Sequence, residues 1–538
     1  MKIIDNIYLY RPQKKQEKQL YHLKIEDGKI QSIHKGRTEE EGSHVYDGKG
    51  RTLTASFTDS HLHFLRYGLM KQELDLRKAT TWADFKKAVV NHYKDIEHHG
   101  WIAGNGMVDD SFTDLDHLVT ADDLEELDFD KPMFFLHEDA HQCVVNHKAL
   151  RILKEKDQLG QYHDQFIEKD ENGEWTGRFK DTAVHYIKFH FRQRGAEDVK
   201  KAVGEAVHHL TRHGITSIHT DDLNFTGSYD RVWEGYRALE KEGKLPVKVH
   251  LHHYVFHKWA IQEFLDSTTM RTGDGSERVK VGAIKIFLDG TQRLHTAAMK
   301  NPYHDRPDTS GNPVYTQEQL NEMVRLADEN NMQVTMHAIG DLAVEQAVNA
   351  IEQVGAARMR HRIIHIQTLS PELVQRLKEV KPYAEIQPSF LMGEYDKKEK
   401  WSGKEQAPYC DAWGTVWREG IPFTGSSDSP ISPLNPLVGI FAAVNRTDEK
   451  GNPEGGWMPD ERLPLDVIYR AYTETPPYLE FQENVKGKIE EGYMADFILL
   501  SEYPKEVEPH GLKDIKVLET WVDGEKVFDF RQDPMENN

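Results

Sequence analysis

The central part of the chain alternates between short apolar runs and longer amphipathic segments. The run VGAIKIFLDG at 281–290 is typical of the short type, which predicts strands of a parallel sheet because helices cover both faces of such a sheet. The predicted strands are 56–64, 215–221, 247–255, 281–289, 332–339, 362–369, 383–390 and 421–428. Eight strands that alternate with amphipathic helices predict an α/β protein, a TIM-type (β/α)₈ barrel over residues 55–484.

The two ends of the chain follow a different pattern. Apolar positions alternate on both sides of Asp27-Gly28 and again on both sides of Asp523-Gly524, and these dipeptides favour two-residue hairpin turns. We therefore expect residues 1–54 and 485–538 to form one small β-sandwich domain. Residues from about 70 to 195 do not fit the barrel rhythm, so we interpret them as an insertion after the first barrel strand.

Composition narrows the classes of function. The 538 residues carry a net charge of -21 without a basic patch, which argues against nucleic-acid and anionic-membrane partners. Cys143 and Cys410 lie far apart, so no disulfide framework is expected. Without a signal-like start or a long apolar run, the sequence indicates a soluble, cytoplasmic protein. A homo-oligomer, for example a dimer, stays open.

Polar side chains recur near the ends of the predicted strands. Because side chains alternate along a strand, each of these strands has one face that packs on helices and another that carries a polar group. The residues concerned are His61, His63, Lys285, His337, His365 and Asp428. Any single histidine could be a hydrogen-bonded core residue. Together, however, imidazoles and carboxylates at the active-site end of a barrel predict a site for a divalent cation such as Zn²⁺.

Lys285 poses a separate question, because it lies in the middle of an apolar strand. A buried ammonium must be paired, lose its charge or be chemically modified. Pairing with Asp289 or Asp428 is one of these three possibilities, and chemical modification is another.

Several segments resemble the amidohydrolase superfamily, and within it the YtcJ-like, amidohydrolase-3 branch. They are SFTDSHLHF, GAIKIFLDG, QVTMHAIGD, HRIIHIQTL and GSSDSPISPLNPLVGI. The resemblance implies that His61, His63, His337, His365 and Asp428 are metal ligands. It further implies that CO₂ converts Lys285 to a carbamate, which binds one or two divalent ions, with zinc as the first expectation.

The function implied by the resemblance is that of a metal-dependent amidohydrolase. Such an enzyme cleaves a non-peptide C–N bond, in an amide, N-acyl or N-formyl group, of a small-molecule substrate through a metal-activated hydroxide. Asp428 takes the proton of the water and returns it to the leaving nitrogen. The expected substrate contacts are Asp139, His141, His219 and Arg293. Ala140 stands where the branch often has a glycine.

Three alternatives stay open. The same site could serve a C–O or phosphoester hydrolase, or the chain could be a non-catalytic, metal-stabilised regulator or binding protein. The segment HEDAH at 137–141 also matches the zinc-peptidase pattern, which requires a helix. Because this segment follows a strand-like run, its two histidines are expected to lie too far apart to share one zinc.

Overall fold

The computed structural model describes residues 1–14, 18–94, 100–155, 158–191 and 194–533. The strands are β1 (Lys2–Leu9), β2 (Leu20–Glu26), β3 (Lys29–Lys35), β4 (Val45–Ala55), β5 (Phe57–Leu62), β6 (Leu74–Asp75), β7 (Ile102–Met107), β8 (Met133–His137), β9 (Gln142–Val145), β10 (Ile167–Lys169), β11 (Trp175–Lys180), β12 (Ile215–Thr220), β13 (Lys248–Tyr254), β14 (Val279–Phe287), β15 (Val334–Ala338), β16 (Arg362–His365), β17 (Tyr383–Ile386), β18 (Phe423–Gly425), β19 (Phe497–Leu500), β20 (Val517–Val522) and β21 (Glu525–Asp529).

Some helices alternate with the barrel strands, and others, from α2 to α6, belong to the insertion. They are α1 (Phe64–Gln72), α2 (Trp82–Tyr93), α3 (Ala121–Leu124), α4 (His147–Glu155), α5 (Gln158–His163), α6 (Asp181–Phe191), α7 (Ala196–Arg212), α8 (Tyr229–Lys241), α9 (Lys258–Ser267), α10 (Gln317–Glu329), α11 (Asp341–Val354), α12 (Ala356–Met359), α13 (Pro371–Val380), α14 (Leu391–Gln406), α15 (Trp413–Arg418), α16 (Pro436–Asn445), α17 (Leu465–Ala471) and α18 (Pro476–Leu479). Among the described residues, no helix combines the length and the apolar character needed to cross a membrane.

The barrel confirms the strand pattern predicted from the sequence. Its eight parallel strands run in the order β18-β17-β16-β15-β14-β13-β12-β5, and each predicted strand overlaps an observed one. Hydrogen bonds join β5 to the segment of β18 across the closing edge. The Ser60 hydroxyl donates to Thr424 Oγ1 over 2.9 Å, and the Asp428 N–H donates to the His61 carbonyl over 2.8 Å. The carboxyl ends of β5 and β18 therefore lie side by side.

Local sequence explains how the barrel helices start and stop. In α13 the Ser370 hydroxyl accepts the N–H of Leu373, and Pro371 occupies the first turn, where its missing N–H has no cost. Leu373 and Leu377 of this helix are buried. Helix α11 ends before Gly355, whose φ of 81° lies in the left-handed region that glycine adopts without strain.

Both ends of the chain contribute to one seven-stranded sheet, in the order β21-β20-β19-β4-β1-β2-β3. The hairpin turns occur at the predicted dipeptides, and all four of their residues have a positive φ: Asp27, Gly28, Asp523 and Gly524. Positive φ at both central residues is the mark of the turn that matches the twist of antiparallel strands. Leu23, Phe497 and Trp521 belong to the separate hydrophobic core of this sheet.

The insertion folds around a six-stranded sheet of its own, in the order β10-β11-β9-β8-β7-β6. Phe85 of α2 packs edge-on against Phe135 of β8, with ring centres 4.9 Å apart, in a hydrophobic core distinct from that of the barrel. The turn between β8 and β9 reaches the barrel, since the ring centre of His141 lies 6.0 Å from that of His337 on β15. The insertion thus supplies side chains to the carboxyl end of the barrel.

Candidate metal centre

Three of the predicted ligands meet where β5 and β18 end. Asp428 Oδ1 lies 3.3 Å from His61 Nε2 and 3.1 Å from His63 Nε2. This oxygen is buried and makes no hydrogen bond within the described residues. Two atoms bound to one tetrahedral zinc at about 2.1 Å lie roughly 3.4 Å apart, so each imidazole nitrogen is spaced from Asp428 Oδ1 as a second ligand of the same ion would be. The residues present therefore fit a divalent metal.

His337 and His365 approach the same point from β15 and β16. Their ring centres lie 4.6 Å apart, and the His365 ring lies 5.9 Å from the ring of His61. Ligand atoms of His61, His365 and Asp428 can all be chosen within 4.8 Å of one another. The structure thus brings together histidines that are separated by about 300 positions in the sequence.

In three of these histidines, one ring nitrogen lies within hydrogen-bond distance of an oxygen atom, which orients the ring. His63 Nδ1 lies 3.0 Å from the Asp221 carbonyl, and His337 Nε2 lies 3.0 Å from the Gly290 carbonyl. His365 Nδ1 lies 2.8 Å from the Gln387 side-chain oxygen. Donation of one ring N–H to an oxygen leaves the other nitrogen with a free lone pair, and metal-binding histidines commonly have such an outer partner.

Electrostatics keep the ligand set in the protonation states that a metal requires. Burial lowers the pKa of His61, His337 and His365 well below the usual histidine value, so these rings are neutral. Burial alone would raise the pKa of Asp428, but the contacts with His61 and His63 outweigh it and hold the value well below its usual range. Neutral imidazoles around an ionised carboxylate form a competent donor set.

The backbone at the site is strained. Asp428 has a φ of 56°, His365 a φ of 75° and Ile366 a φ of 47°, all in a region that non-glycine residues rarely adopt. Asp59 anchors the loop that carries Asp428, since it accepts the Ser427 hydroxyl over 2.5 Å and the Ser427 N–H over 3.0 Å. Sequence reasoning missed this anchor; the alternation that places Asp59 on the face of His61 was its only signal. Such strain commonly concentrates at functional sites.

Lys285 is fully buried beside this group. Its Nζ lies 3.5 Å from His61 Nε2 and 4.9 Å above the centre of the Phe287 ring. Within the described residues, no carboxylate oxygen lies within 4.0 Å of this nitrogen. Asp289 instead accepts the backbone N–H groups of Ala298, Ile339 and Gly340. The structure therefore does not show the pairing of Lys285 with Asp289 or Asp428 that the sequence left open.

A cavity of about 570 Å³ opens above the centre. His337, His365 and Asp428 line its inner wall, and three of the four expected substrate contacts also line it: Asp139, His141 and Arg293. His141 Nδ1 lies 2.8 Å from Asp181 Oδ1, which orients the ring. The structure thus places these three side chains where a bound small molecule would meet them.

His219 lies elsewhere. It is buried inside the barrel between Glu480, 2.9 Å from its Nε2, and Arg362, 2.9 Å from its Nδ1. Arg362 is the first residue of β16, so this contact lies towards the amino end of the barrel. With both nitrogens engaged, His219 does not line the cavity above the centre. The expectation of a substrate contact came from the position of His219 on the second barrel strand, and that position does not by itself set how deep in the barrel the side chain lies.

His219, His250 and Glu480 form a second group that resembles a metal site. Lys486 pairs with the carboxylate of this group, with its Nζ 2.5 Å from Glu480 Oε2 and 2.9 Å from the Ser217 hydroxyl. Burial alone would raise the pKa of Glu480, but Lys486 and His250 hold it well below the usual range, so the carboxylate is charged. The Lys486 ammonium supplies the positive charge that a metal ion would otherwise provide to Glu480. We therefore interpret this group as an ion-pair network.

If this group is an ion-pair network, substitution of Glu480 should lower the stability of the protein without changing its metal content. Glu480→Gln leaves the Lys486 ammonium buried without a counter-charge, which should lower the free energy of unfolding by about 3–5 kcal/mol. Chemical denaturation measures this change, and the same substitution on the exposed face of α13, Glu379→Gln, should stay within about 0.5 kcal/mol of the parent protein. A Glu480→Gln protein of unchanged stability that has lost bound metal would show that this group is a metal site instead.

The HEDAH segment does not lie on a helix. His137 ends β8, a turn follows, and β9 begins after His141. His137 pairs with Asp139, 3.2 Å away, and Asp110, 3.8 Å away. Burial opposes its protonation, but these two carboxylates prevail and raise the pKa of His137 to about 9. The zinc-peptidase pattern requires both histidines on one face of a helix, so this segment, which forms a turn between two strands, lacks the arrangement of a zinc peptidase.

Ala140 lies in the same turn with a φ of 62°. Glycine adopts this left-handed conformation without strain, whereas alanine does so only at an energetic cost. The requirement for a left-handed residue gives a physical reason for a glycine at this position.

Residues 44–528 match a family described as the Amidohydrolase family. The chain is 32% identical to "Putative amidohydrolase YtcJ" of Bacillus subtilis (strain 168), over 89% of each chain. It is also 26% identical to "Protein LONG AFTER FAR-RED 3" of Arabidopsis thaliana, over 89% of this chain and 83% of that protein. It is 22% identical to the "N-substituted formamide deformylase" of Arthrobacter pascens, over 89% of each.

Solved structures share the fold. An uncharacterized metal-dependent hydrolase from Pyrococcus horikoshii OT3 superposes with a TM-score of 0.75 at 24% identity, covering 94% of this chain and 99% of that one. The atrazine chlorohydrolase TrzN from Arthrobacter aurescens TC1, complexed with zinc, superposes with a TM-score of 0.56 at 12% identity, covering 100% and 98%. At these identities the likeness shows the fold alone.

Proposed function

Because this chain belongs to the amidohydrolase family and is a hydrolase, we propose that it cleaves a non-peptide C–N bond, in an amide, N-acyl or N-formyl group, of a small molecule. The observation that carries the proposal is the convergence of His61, His63 and Asp428 with the imidazoles of β15 and β16 beneath a cavity of about 570 Å³. A cavity of this size suits a small substrate.

The residues that would hold the metal are the four histidines, Asp428 and a modified Lys285. The neutral imidazoles of His61, His337 and His365 and the ionised carboxylate of Asp428 suit zinc, as one ion or two. A bound divalent ion would supply Lewis acidity, which makes water nucleophilic near neutral pH and polarises the substrate carbonyl.

Asp428 is the proposed proton carrier. Its carboxylate lies at the inner wall of the cavity and is ionised, so one of its oxygens can accept a proton from the attacking water. The same oxygen then returns the proton to the leaving nitrogen, which must be protonated because an amide anion is a poor leaving group. The left-handed backbone at Asp428 and the Asp59–Ser427 anchor hold the carboxylate in place.

We further propose that Lys285 is carboxylated. Burial lowers the pKa of this ammonium, which favours the neutral amine that reacts with CO₂. The amine nitrogen forms a bond to the carbon of CO₂ and releases one proton, so a buried cation becomes a carbamate anion. This change removes the problem of an ammonium without a carboxylate within 4.0 Å in the described residues and adds oxygen donors next to His61.

Asp139, His141 and Arg293 are the proposed substrate contacts in the outer cavity. Arg293 is 39% exposed and lies 3.6 Å from Asp110 and 4.0 Å from Asp139, so its guanidinium is oriented across the opening. The similarity to the N-substituted formamide deformylase of Arthrobacter pascens supports a search that begins with N-formyl and N-acyl amides.

The decisive experiment measures metal content and turnover together. Purified protein is loaded with zinc and assayed against N-formyl amides, N-acyl amides and lactams, and against matched carboxylic and phosphate esters. We expect hydrolysis of at least one amide class, with a rate that follows metal occupancy. Turnover of the phosphate esters alone would favour the alternative hydrolase. Metal binding without turnover on any class would favour a regulator or binding protein.

A further inference from the structure

Arg66 of α1 is a buried cation next to the candidate metal centre. Its side chain is only 3% exposed and lines a small inner chamber together with His61, His63 and Asp428. Its only hydrogen bond in the described residues runs from Nη2 to the Glu138 carbonyl, at 3.4 Å, and its Nε has no partner. No carboxylate oxygen of these residues lies within 4.0 Å of the guanidinium.

Other buried arginines have a partner for their charge, although each also has one guanidinium nitrogen without a hydrogen-bond partner. Arg178 lies 2.5 Å from Asp109, and Arg362 lies 2.6 Å from Glu385. Arg446 donates to two backbone carbonyls and lies between two tryptophan rings, at 4.7 and 5.0 Å from their centres. Arg66 has neither a carboxylate nor an aromatic sandwich. Burying a charge without a partner is costly, so an anion is expected at this point in the working protein.

The carboxylates nearest to Arg66 are already engaged. Its electrostatic neighbours are Asp428, Asp139 and Glu73. Asp428 contacts His61 and His63, while Asp139 pairs with His137. Glu73 pairs with Arg194 and accepts the Asn105 amide. These acids attract the Arg66 charge from a distance, but in the described residues none of them forms a direct ion pair with it.

The position of Arg66 connects it to the substrate cavity. Glu138, whose carbonyl it contacts, lines the outer cavity, and the inner chamber shares five lining residues with that cavity: His141, His337, His365, Asp428 and Ile431. A second buried cation, Lys188 of α6, lines the same chamber, with its Nζ 5.1 Å from the centre of the Phe225 ring. The chamber thus presents two cationic side chains beside the reacting groups.

We propose, on the premise that the protein hydrolyses amides as argued above, that Arg66 binds a carboxylate group of the substrate. The Nε–H and a neighbouring Nη–H form the planar fork that a carboxylate accepts with both oxygens. The substrate class is then an N-acyl or N-formyl compound with a carboxylate close to the scissile amide, as in an N-acylated amino acid. The carboxylate is held at Arg66 while the amide nitrogen faces Asp428.

The test compares charged and neutral ligands of equal shape. Phenylacetate and phenylacetamide are titrated calorimetrically into zinc-loaded protein, and kcat and KM are measured for N-acetylphenylalanine and its primary amide. The variants are Arg66→Met, which removes the charge, and Arg66→Lys, which keeps it. Lys378→Met, on the surface helix α13, removes one positive charge far from the chamber and serves as the control for net charge.

We expect Arg66→Met to weaken phenylacetate binding by at least about 30-fold and to raise KM for N-acetylphenylalanine similarly, since it removes a buried charge contact. Phenylacetamide and the neutral substrate should change by less than about threefold, metal content should stay the same, and Arg66→Lys should restore part of the selectivity.

Equal loss for the charged and neutral ligands, or none for either, would overturn the role of Arg66 even if amides are hydrolysed. Arg66-dependent phenylacetate binding without hydrolysis of any amide would instead overturn the proposed function and support the anion site.

Discussion

If the proposed amide hydrolysis is correct, Asp428→Asn should lower its kcat roughly 10³-fold, because the amide side chain cannot carry the proton from water to the leaving nitrogen. Its carbonyl oxygen can still occupy the place of Oδ1, 3.3 Å from His61 Nε2 and 3.1 Å from His63 Nε2, so bound metal should stay close to the parent value. Metal analysis by mass spectrometry and steady-state kinetics on the same samples separate the two effects.

The matched control is Asp396→Asn, the same chemical change at an exposed position of α14. It should leave kcat and metal content unchanged. The dependence of kcat on pH distinguishes proton transfer from a purely structural role. The fall in kcat at low pH that protonation of Asp428 causes in the parent protein should be absent from Asp428→Asn. Full turnover in Asp428→Asn would refute the role of proton carrier. Complete loss of metal in this variant would show that Asp428 is needed to bind the metal, and the loss of activity would then give no support to proton transfer.

If Lys285 binds zinc through the proposed carbamate, Lys285→Met should lower zinc affinity by at least about 10²-fold, because loss of a direct ligand should exceed the effect of losing an outer-shell partner. The zinc-free variant should be no less stable than the zinc-free parent, since a thioether side chain replaces a buried ammonium that has no nearby carboxylate within the described part of the chain. Zinc titration and thermal unfolding measure these two quantities independently.

Two further measurements address the carbamate itself. Native mass spectrometry of the zinc-loaded parent protein in bicarbonate should show the added mass of one CO₂, and Lys285→Met should not show it. In Lys285→Ala, a short carboxylic acid such as propionate should restore part of the zinc binding, because it supplies carboxylate oxygens to the space left by the side chain. An unmodified lysine in fully zinc-loaded protein would exclude carboxylation.

Local patterns in the sequence were enough to predict the barrel and most of the candidate centre. Short apolar runs such as 281–290 predict strands because burial on both faces requires them, and the observed β14 spans Val279–Phe287. The period of two then separates outward from inward side chains, and parallel strands align their carboxyl ends. These two rules are sufficient to bring His61, His337, His365 and Asp428 to one end of the barrel.

The same rules failed for residues whose role depends on depth or on other parts of the chain. His219 follows the period of two, but it lies deeper in the barrel because Glu480 and Arg362 bind both of its nitrogens. Arg66 lies on helix α1, so the alternation of side chains along strands cannot predict its position. Its unpaired state depends on where Glu73, Asp139 and Asp428 find their partners, three positions spread across the chain.

The amino-acid order therefore specifies the strands, their inward faces and the chemical types that meet at the barrel mouth, since these follow from interactions between near neighbours along the chain. Only the tertiary structure decides which charged side chains find a partner and which nitrogen of each imidazole stays free of hydrogen bonds. It also decides which residues of the insertion line the cavity above the centre. Those features depend on distances between residues far apart in the sequence, and such distances exist only once the barrel and the insertion have packed together.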